Sequence, residues 1–278
     1  MSIKHPDFIE FEIGTYCNRT CSWCPNALNS RGHEKNHVAP ALWRNFLQDL
    51  ATEHYQGILA IHNYNEPLLD PYVFDRIKDA REIAPEAKLV VFTNGDPLNT
   101  VVLDELKALS IHELRITLYP KENREGVLTP YALDKLFKRI SMSEGDFTLT
   151  LTDRGLEYEG KQDNLNFFII VPIVENYTNR AGSLNMSKMV VRTEPCYLPE
   201  HSVAIDYLGN FKLCCQVQDV LNDDVYNIGN IATEGFFSVW KGYKLNTIRA
   251  KLRDSDFSML KYCSECDHSK DYSPALAA

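Results

Sequence analysis

Cys17-Asn18-Arg19-Thr20-Cys21-Ser22-Trp23-Cys24 gathers three thiols in one short run, directly after an apolar segment from Phe8 to Ile13. A closed zinc site or a conventional ferredoxin-type cluster takes four protein ligands. A compact set of three therefore suits a [4Fe–4S] cluster whose remaining iron is open to an outside ligand. The plainer alternative is three buried or zinc-binding cysteines. The other cysteines, 196, 214, 215, 263 and 266, all lie far downstream, and none falls between 24 and 196. Such clustering is not a disulfide framework. It points to reduced thiols that hold metal, hence to the cytoplasm, and Met1 to Glu12 shows no secretory pattern.

The longest apolar stretch, Phe167 to Val174, is far short of the roughly 20 residues that cross a bilayer. A net charge of −9 offers no basic face for a phosphate backbone, which counts against a nucleic-acid partner. At 278 residues the chain has room for one large domain and a small one. Residues 1–190 and 191–278 are the expected division, since helical periodicity lapses and cysteines return past Arg192.

The thiols need a scaffold, and the first part of the chain supplies βα alternation. Gly57 to His62, Lys88 to Phe92, Glu113 to Leu118 and Asn166 to Ile173 carry strand patterns. After Pro40 the apolar residues Trp43, Phe46, Leu47 and Leu50 recur at helical spacing, and Pro suits the first turn. Pro71 to Ile83, Leu98 to Leu109 and Tyr131 to Ile140 repeat the design. The expected class is α/β, a parallel sheet of five or six strands, too few to close an eight-stranded barrel.

The three-cysteine run resembles the signature of the radical S-adenosylmethionine (SAM) superfamily. That resemblance implies a partial, open βα barrel with ligands gathered at the carboxyl ends of the strands. There SAM would chelate the open iron and be cleaved reductively to a 5′-deoxyadenosyl radical, which takes a hydrogen atom from substrate. It also assigns roles at successive strand ends. Asn63-Tyr64-Asn65-Glu66-Pro67 resembles the family's Gly-Gly-Glu-Pro segment at the SAM amino group, with Asn65 and Glu66 as its polar residues; Asn65 tolerates a left-handed turn where the family has glycine. Thr93-Asn94-Gly95 matches an element on the cluster side. Thr117 stands where relatives have a ribose-binding serine, and Ile169 and Val171 would flank the adenine.

Beyond Arg192, two strand-like runs about Gly209-Asn210 and a helix holding Val239, Trp240 and Tyr243 resemble the twitch domain, the shortened form of the SPASM extension. The resemblance implies a second, auxiliary [4Fe–4S] cluster held by Cys196, Cys214, Cys263 and Cys266 within a small β-hairpin and helix domain. A four-cysteine zinc ribbon remains the alternative for these residues. Strand alternation turns Cys215 away from Cys214, which favours a small buried side chain there, with hydrogen donation the less favoured role.

Asn179-Arg180-Ala181-Gly182 resembles an Asn-Arg-x-Gly element at the junction of the two parts. It makes Arg180 a candidate for orienting substrate or SAM; Glu175 is a weaker candidate for proton transfer. His33-Glu34-Lys35-Asn36-His37 fits the H-E-x-x-H pattern of zinc proteases, but Gly32 before it and Pro40 after it are unsuited to the rigid helix that chemistry needs. His33 or His37 could still meet substrate. The resemblance thus implies a radical SAM oxidoreductase that dehydrogenates an alcohol, a sugar-like molecule or another small biosynthetic substrate. It would use two [4Fe–4S] clusters and SAM, with flavodoxin or ferredoxin as external reductant. Redox-neutral epimerisation and peptide modification are the alternatives.

Overall fold

Alternation along β1 (Phe8–Phe11) sets the layering of the molecule. Ile9 and Phe11 point into the large core beneath the helices, while Phe8 turns to the other face and packs with Ile58, Ala60 and Val90. The computed structural model describes residues 5–28, 30–119, 130–173, 176–184, 191–217 and 225–268. The expected strands form as β2 (Ile58–Ala60), β3 (Lys88–Thr93), β4 (Glu113–Thr117) and β7 (Leu165–Pro172). Between β4 and β7 stands a hairpin that the sequence reading missed, β5 (Phe147–Thr152) and β6 (Gly155–Gln162). It turns at Gly155, where φ is 142° and a Cβ would lie 2.0 Å from the Val171 carbonyl oxygen.

The sheet runs β10-β9-β8-β1-β2-β3-β4-β7-β6-β5. Its six central strands, β8 to β7 in that order, pair in parallel, and hairpin strands extend both sides in antiparallel fashion. This is an open, partial barrel. Strand β8 (Ser202–Ile205) pairs with β1, so the sheet continues unbroken past residue 190. Strands β8 and β9 (Asn210–Lys212) turn at Gly209, where Asp206 Oδ1 accepts from Leu208 N and Asn210 N.

On the outer face, α1 (Pro40–Thr52) buries the stripe Trp43, Phe46, Leu47 and Leu50, as its spacing requires. Helices α2 (Val73–Ile83), α3 (Thr100–Ala108) and α4 (Pro130–Ile140) continue the layer, and Asn99 caps α3 by accepting from Val102 N. Trp43 meets Phe11 edge-on with ring centroids 5.1 Å apart, and its Nε1 donates to the Arg76 carbonyl. Trp43→Ala is expected to destabilise the fold by about 3–5 kcal/mol, read as a lower denaturant midpoint with an unchanged slope. Where one carboxyl-terminal helix was expected there are three, α6 (Ile231–Glu234), α7 (Phe236–Trp240) and α8 (Tyr243–Arg253), after the four-residue α5 (Leu198–His201). The break between α6 and α7 falls at Gly235, whose φ is 76°. Strand β10 (Asn227–Asn230) precedes them, and α9 (Lys261–Ser264) presents Cys263. Among the described residues no helix is long and apolar enough to cross a membrane.

Candidate functional site

The carboxyl ends of the first parallel strands open onto a cavity of about 160 Å³, with Cys17, Cys21 and Cys24 in its wall. Backbone bonds shape the cysteine loop: Cys24 N donates to the Cys21 carbonyl and Cys17 N to the Gly32 carbonyl. Arg19 grips Asp96 through two bonds of 2.6 and 2.7 Å, and Asn94 Nδ2 donates to Asn18 Oδ1. The Thr93-Asn94-Gly95 strand end therefore clamps the loop, a role more structural than its resemblance alone implied. Burial pushes the Cys17 thiol up to about 11 and raises Cys24 as well. Metal uptake by such thiols must displace protons.

Glu66, 2% exposed, lines the same cavity. Its carboxylate accepts from Thr93 Oγ1 at 2.8 Å, Asn94 N at 2.7 Å and Leu68 N at 3.2 Å, so it ties the second strand end to the third. Burial raises it to about 7. Asn65 and Thr117 also line the cavity. Asn65 is not left-handed, contrary to expectation; the turn is closed by Asn63 N donating to Asn65 Oδ1.

Ile169 and Val171 do not line the cavity. In β7 the parity is one residue off the expectation: Ile169 is in the core beneath the helices, and Val171 lines a groove beside α4. Thr117 is paired with Ile170 and Arg115 with Phe168, so those β7 residues share the concave face with Thr117. The Arg115 guanidinium lies over both Phe92 and Phe168.

Four thiols meet at a second cavity, lined by Cys196, Cys214, Cys263 and Cys266 together with Arg192. Burial, then the charges of neighbouring thiols, holds Cys214 far above the usual thiol range. Arg192 fastens the loops by donating to the carbonyls of Glu194, Pro195, Cys266 and His268. Cys196 N donates to the Leu252 carbonyl at the end of α8. Among the described residues no three His, Cys, Asp or Glu side chains close on a single-ion site. Both thiol sets surround a space, which fits a polynuclear cluster of soft thiolate ligands.

The segment Arg180-Ala181 joins the two cavities, Arg180 lining the first and Ala181 the second. The Arg180 guanidinium sits 5.7 Å from the Tyr64 ring centroid. Asn179 reaches the other way, donating through Nδ2 to the Glu265 carbonyl and through its backbone N to Asp267 Oδ1. Arg180, Ala181 and Gly182 all have φ between 49° and 75°, a left-handed run that costs of order 1 kcal/mol or more at each non-glycine residue. Glu175 lies outside the described residues. His37 is bound to Asp70 Oδ2 at 2.7 Å, and His33 ends a separate 3-10 turn. Neither lines the cavity, and the pair shares no helix face.

Cys215 has a double setting. It turns away from Cys214 and packs against the core as expected, and it also lines the first cavity. Its thiol hydrogen-bonds to Glu10, and Gln216 Nε2 donates to its sulfur at 3.7 Å. Glu10 and His62 were missed; the visible signal was the Glu10, Glu12 alternation inside an apolar strand. His62 stacks on Phe92 at 3.8 Å, and burial and then Arg115 lower it to about 3, so it is neutral. Its Nε2 lies 3.3 Å from Glu10 Oε1 but makes no hydrogen bond, so the pair is not an ion pair.

Trp23 Nε1, His62 Nε2 and Arg180 Nε are buried without hydrogen-bond partners, and all three residues line this cavity. An unmet buried donor costs about 1–3 kcal/mol. Two such donors, from Trp23 and Arg180, beside the unpartnered His62 ring nitrogen mark the seat of a polar ligand with acceptor atoms.

Residues 196–267 match the SPASM iron–sulfur cluster-binding domain. Over 262 residues the chain is 27% identical to the S-adenosyl-L-methionine-dependent 2-deoxy-scyllo-inosamine dehydrogenase of Niallia circulans, covering 94% of this chain and 92% of that protein. Its fold is similar to that of BtrN in complex with AdoMet and 2-DOIA, with a TM-score of 0.73, 21% identity, and coverage of 97% of this chain and 98% of the other. A more distant likeness is to anSMEcpe with bound AdoMet, with a TM-score of 0.53, 11% identity, and coverage of 86% and 81%. The three-thiol loop at the strand ends, followed by a matched SPASM iron–sulfur cluster-binding domain, makes this chain similar along nearly its whole length to that S-adenosyl-L-methionine-dependent dehydrogenase.

Proposed function

We propose that the protein is a SAM-dependent dehydrogenase that oxidises an alcohol carbon of a small, polyhydroxylated substrate. The observation that carries this reading is the cavity itself: three thiols on one wall, two unmet buried N–H donors from Trp23 and Arg180, and the segment Arg180-Ala181 running from it to a second, four-thiol cavity. Cys17, Cys21 and Cys24 would hold one [4Fe–4S] cluster, and Cys196, Cys214, Cys263 and Cys266 the other. When bound, the first cluster and SAM supply a 5′-deoxyadenosyl radical, and the second supplies a one-electron acceptor.

The chain's own part is positioning. Asn65, Glu66, Thr93, Asn94 and Thr117 shape the SAM side of the cavity, with Ile170 beside Thr117 on the concave face. Arg180 presents its guanidinium to substrate or SAM oxygens, and the aromatic wall of Trp23 and Tyr119, 5.8 Å apart, excludes water. Electrons enter from flavodoxin or ferredoxin, and residues 1–190 and 191–278 are the two functional parts.

Protein purified without oxygen is expected to carry iron and acid-labile sulfide in equal amounts, at the level of two [4Fe–4S] clusters per chain. Stoichiometric zinc without sulfide would end the reading. With dithionite and SAM it should release 5′-deoxyadenosine, and 2-deoxy-scyllo-inosamine is the first substrate to try. A second reading, redox-neutral epimerisation, is favoured by one observation: a thiol, Cys215, in the wall of the cavity.

A further inference from the structure

Glu10 stands in the cavity wall with no Arg or Lys in ion-pair range among the described residues; the Arg180 charge acts on it only from farther off. It is 8% exposed, and among the described residues its one ion-pair-range neighbour is the neutral His62. Glu12, the next residue on the same face of the sheet, is different: Arg31 grips both of its oxygens, and Tyr64 N donates to Oε1. A buried carboxylate without a paired cation is costly, so its position calls for a use.

We propose that Glu10 accepts the proton of the substrate hydroxyl during alcohol oxidation. The proposal rests on the dehydrogenase reading and assigns the step that reading leaves open. Loss of the carbinol hydrogen atom leaves a hydroxyalkyl radical. The O–H bond then breaks, its proton passes to a Glu10 oxygen, and one electron leaves to an iron–sulfur acceptor. The carbon–oxygen bond becomes a carbonyl, and Glu10 ends as the carboxylic acid.

The other polar residues of the cavity are unsuited to this step. A guanidinium has no lone pair to offer, which excludes Arg180 and Arg19. His62 is too weak a base, and the oxygens of Glu66 are committed to Thr93, Asn94 and Leu68. Burial holds Tyr64 protonated, and the Cys215 sulfur already accepts from Gln216 Nε2. Glu10 is raised by burial to about 7, against the lowering effects of the Cys215 thiol and Arg180 and with a further rise from Glu12. A general base works best when its pKa lies near the operating pH. His62, Tyr64, Arg180 and Cys215 face it from the other elements, and Glu12 from its own strand.

The sign follows: above about pH 7 Glu10 is ionised and can accept a proton, and below it cannot. Ketone formed per 5′-deoxyadenosine should fall as pH drops through this region, approaching tenfold per unit. The test uses the reconstituted full chain with SAM, dithionite and 2-deoxy-scyllo-inosamine deuterated at the carbinol carbon. In Glu10→Gln, deuterium should still reach 5′-deoxyadenosine, while ketone per deuterated 5′-deoxyadenosine drops about 100-fold and loses its pH dependence. Glu10→Asp should recover part of the ratio. Without turnover, a carboxyl stretch in the infrared spectrum that titrates near pH 7 should be missing from Glu10→Gln.

A parental ratio in Glu10→Gln overturns the proposal. So does a rise in KM with kcat unchanged, which would make Glu10 a binding group alone. Should the variants fail to load iron, a flat ratio between pH 6 and 8 in the parent overturns it as well. A parent that cleaves SAM but makes no ketone refutes the dehydrogenase reading instead, which keeps the two failures distinct.

Discussion

Replacing Cys17, Cys21 and Cys24 together by alanine is expected to reduce 5′-deoxyadenosine formation from SAM to background. The reason is ligand count. Three thiols would leave one iron open, whereas in the proposed assignment Cys196, Cys214, Cys263 and Cys266 would satisfy every iron of a second cluster and offer SAM no vacancy. The triple variant should keep the auxiliary cluster, so its iron content falls by half rather than to zero. Arg192 and Asn179 hold the second site with bonds that do not involve the first loop. The converse variant, Cys263→Ala with Cys266→Ala, should retain part of the SAM cleavage yet form no oxidised product. Anaerobic assays that quantify 5′-deoxyadenosine beside iron and sulfide decide the matter. Cleavage at the parent rate in the triple variant would mean that SAM binds elsewhere.

The seven cysteines proposed as ligands were legible in the sequence because ligand chemistry resides in residue type and spacing, and each set surrounds a cavity in the fold. The parallel strands were legible too, since fully buried strands read as apolar runs between helices. Parity was harder. Strand side chains alternate with a period of two, so a one-residue slip in β7 puts Ile169 and Val171 off the face that Thr117 shares with Ile170. Cys215 was half legible: alternation turned it from Cys214, and it packs against the core, but sequence alone does not say that the same side chain also borders the cavity. Glu10 was hidden by its apolar neighbours, whose burial the parallel sheet demands on both faces. Hairpin β5–β6 was passed over because its first strand is largely exposed and its second carries charge, so neither shows an apolar run.

Run in heavy water, the enzyme is expected to give a product lighter than its substrate by two hydrogens, with no deuterium at the reacting carbon. Cys215→Ala separates this outcome from epimerisation, because the thiol has a different part in each. As hydrogen donor it would be indispensable: the variant would cleave SAM and form no product at any pH, and the parent would give a product of unchanged skeleton carrying one solvent deuterium. As a neighbour of Glu10 it has a smaller effect of predictable sign. The thiol hydrogen-bonds to the Glu10 carboxylate and lowers its proton affinity. Alanine removes that bond, so Glu10 titrates higher still, and ketone formation at pH 7 should fall and then recover as the pH is raised by about one unit. A hydrogen donor cannot be replaced by raising the pH, whereas a base protonated too readily can be restored in that way. We expect recovery, since the four-thiol cavity lies directly behind Cys215 through Cys214 and gives the second electron a nearby acceptor. Solvent deuterium in a product of equal hydrogen count, lost in Cys215→Ala at every pH, would assign the enzyme to epimerisation.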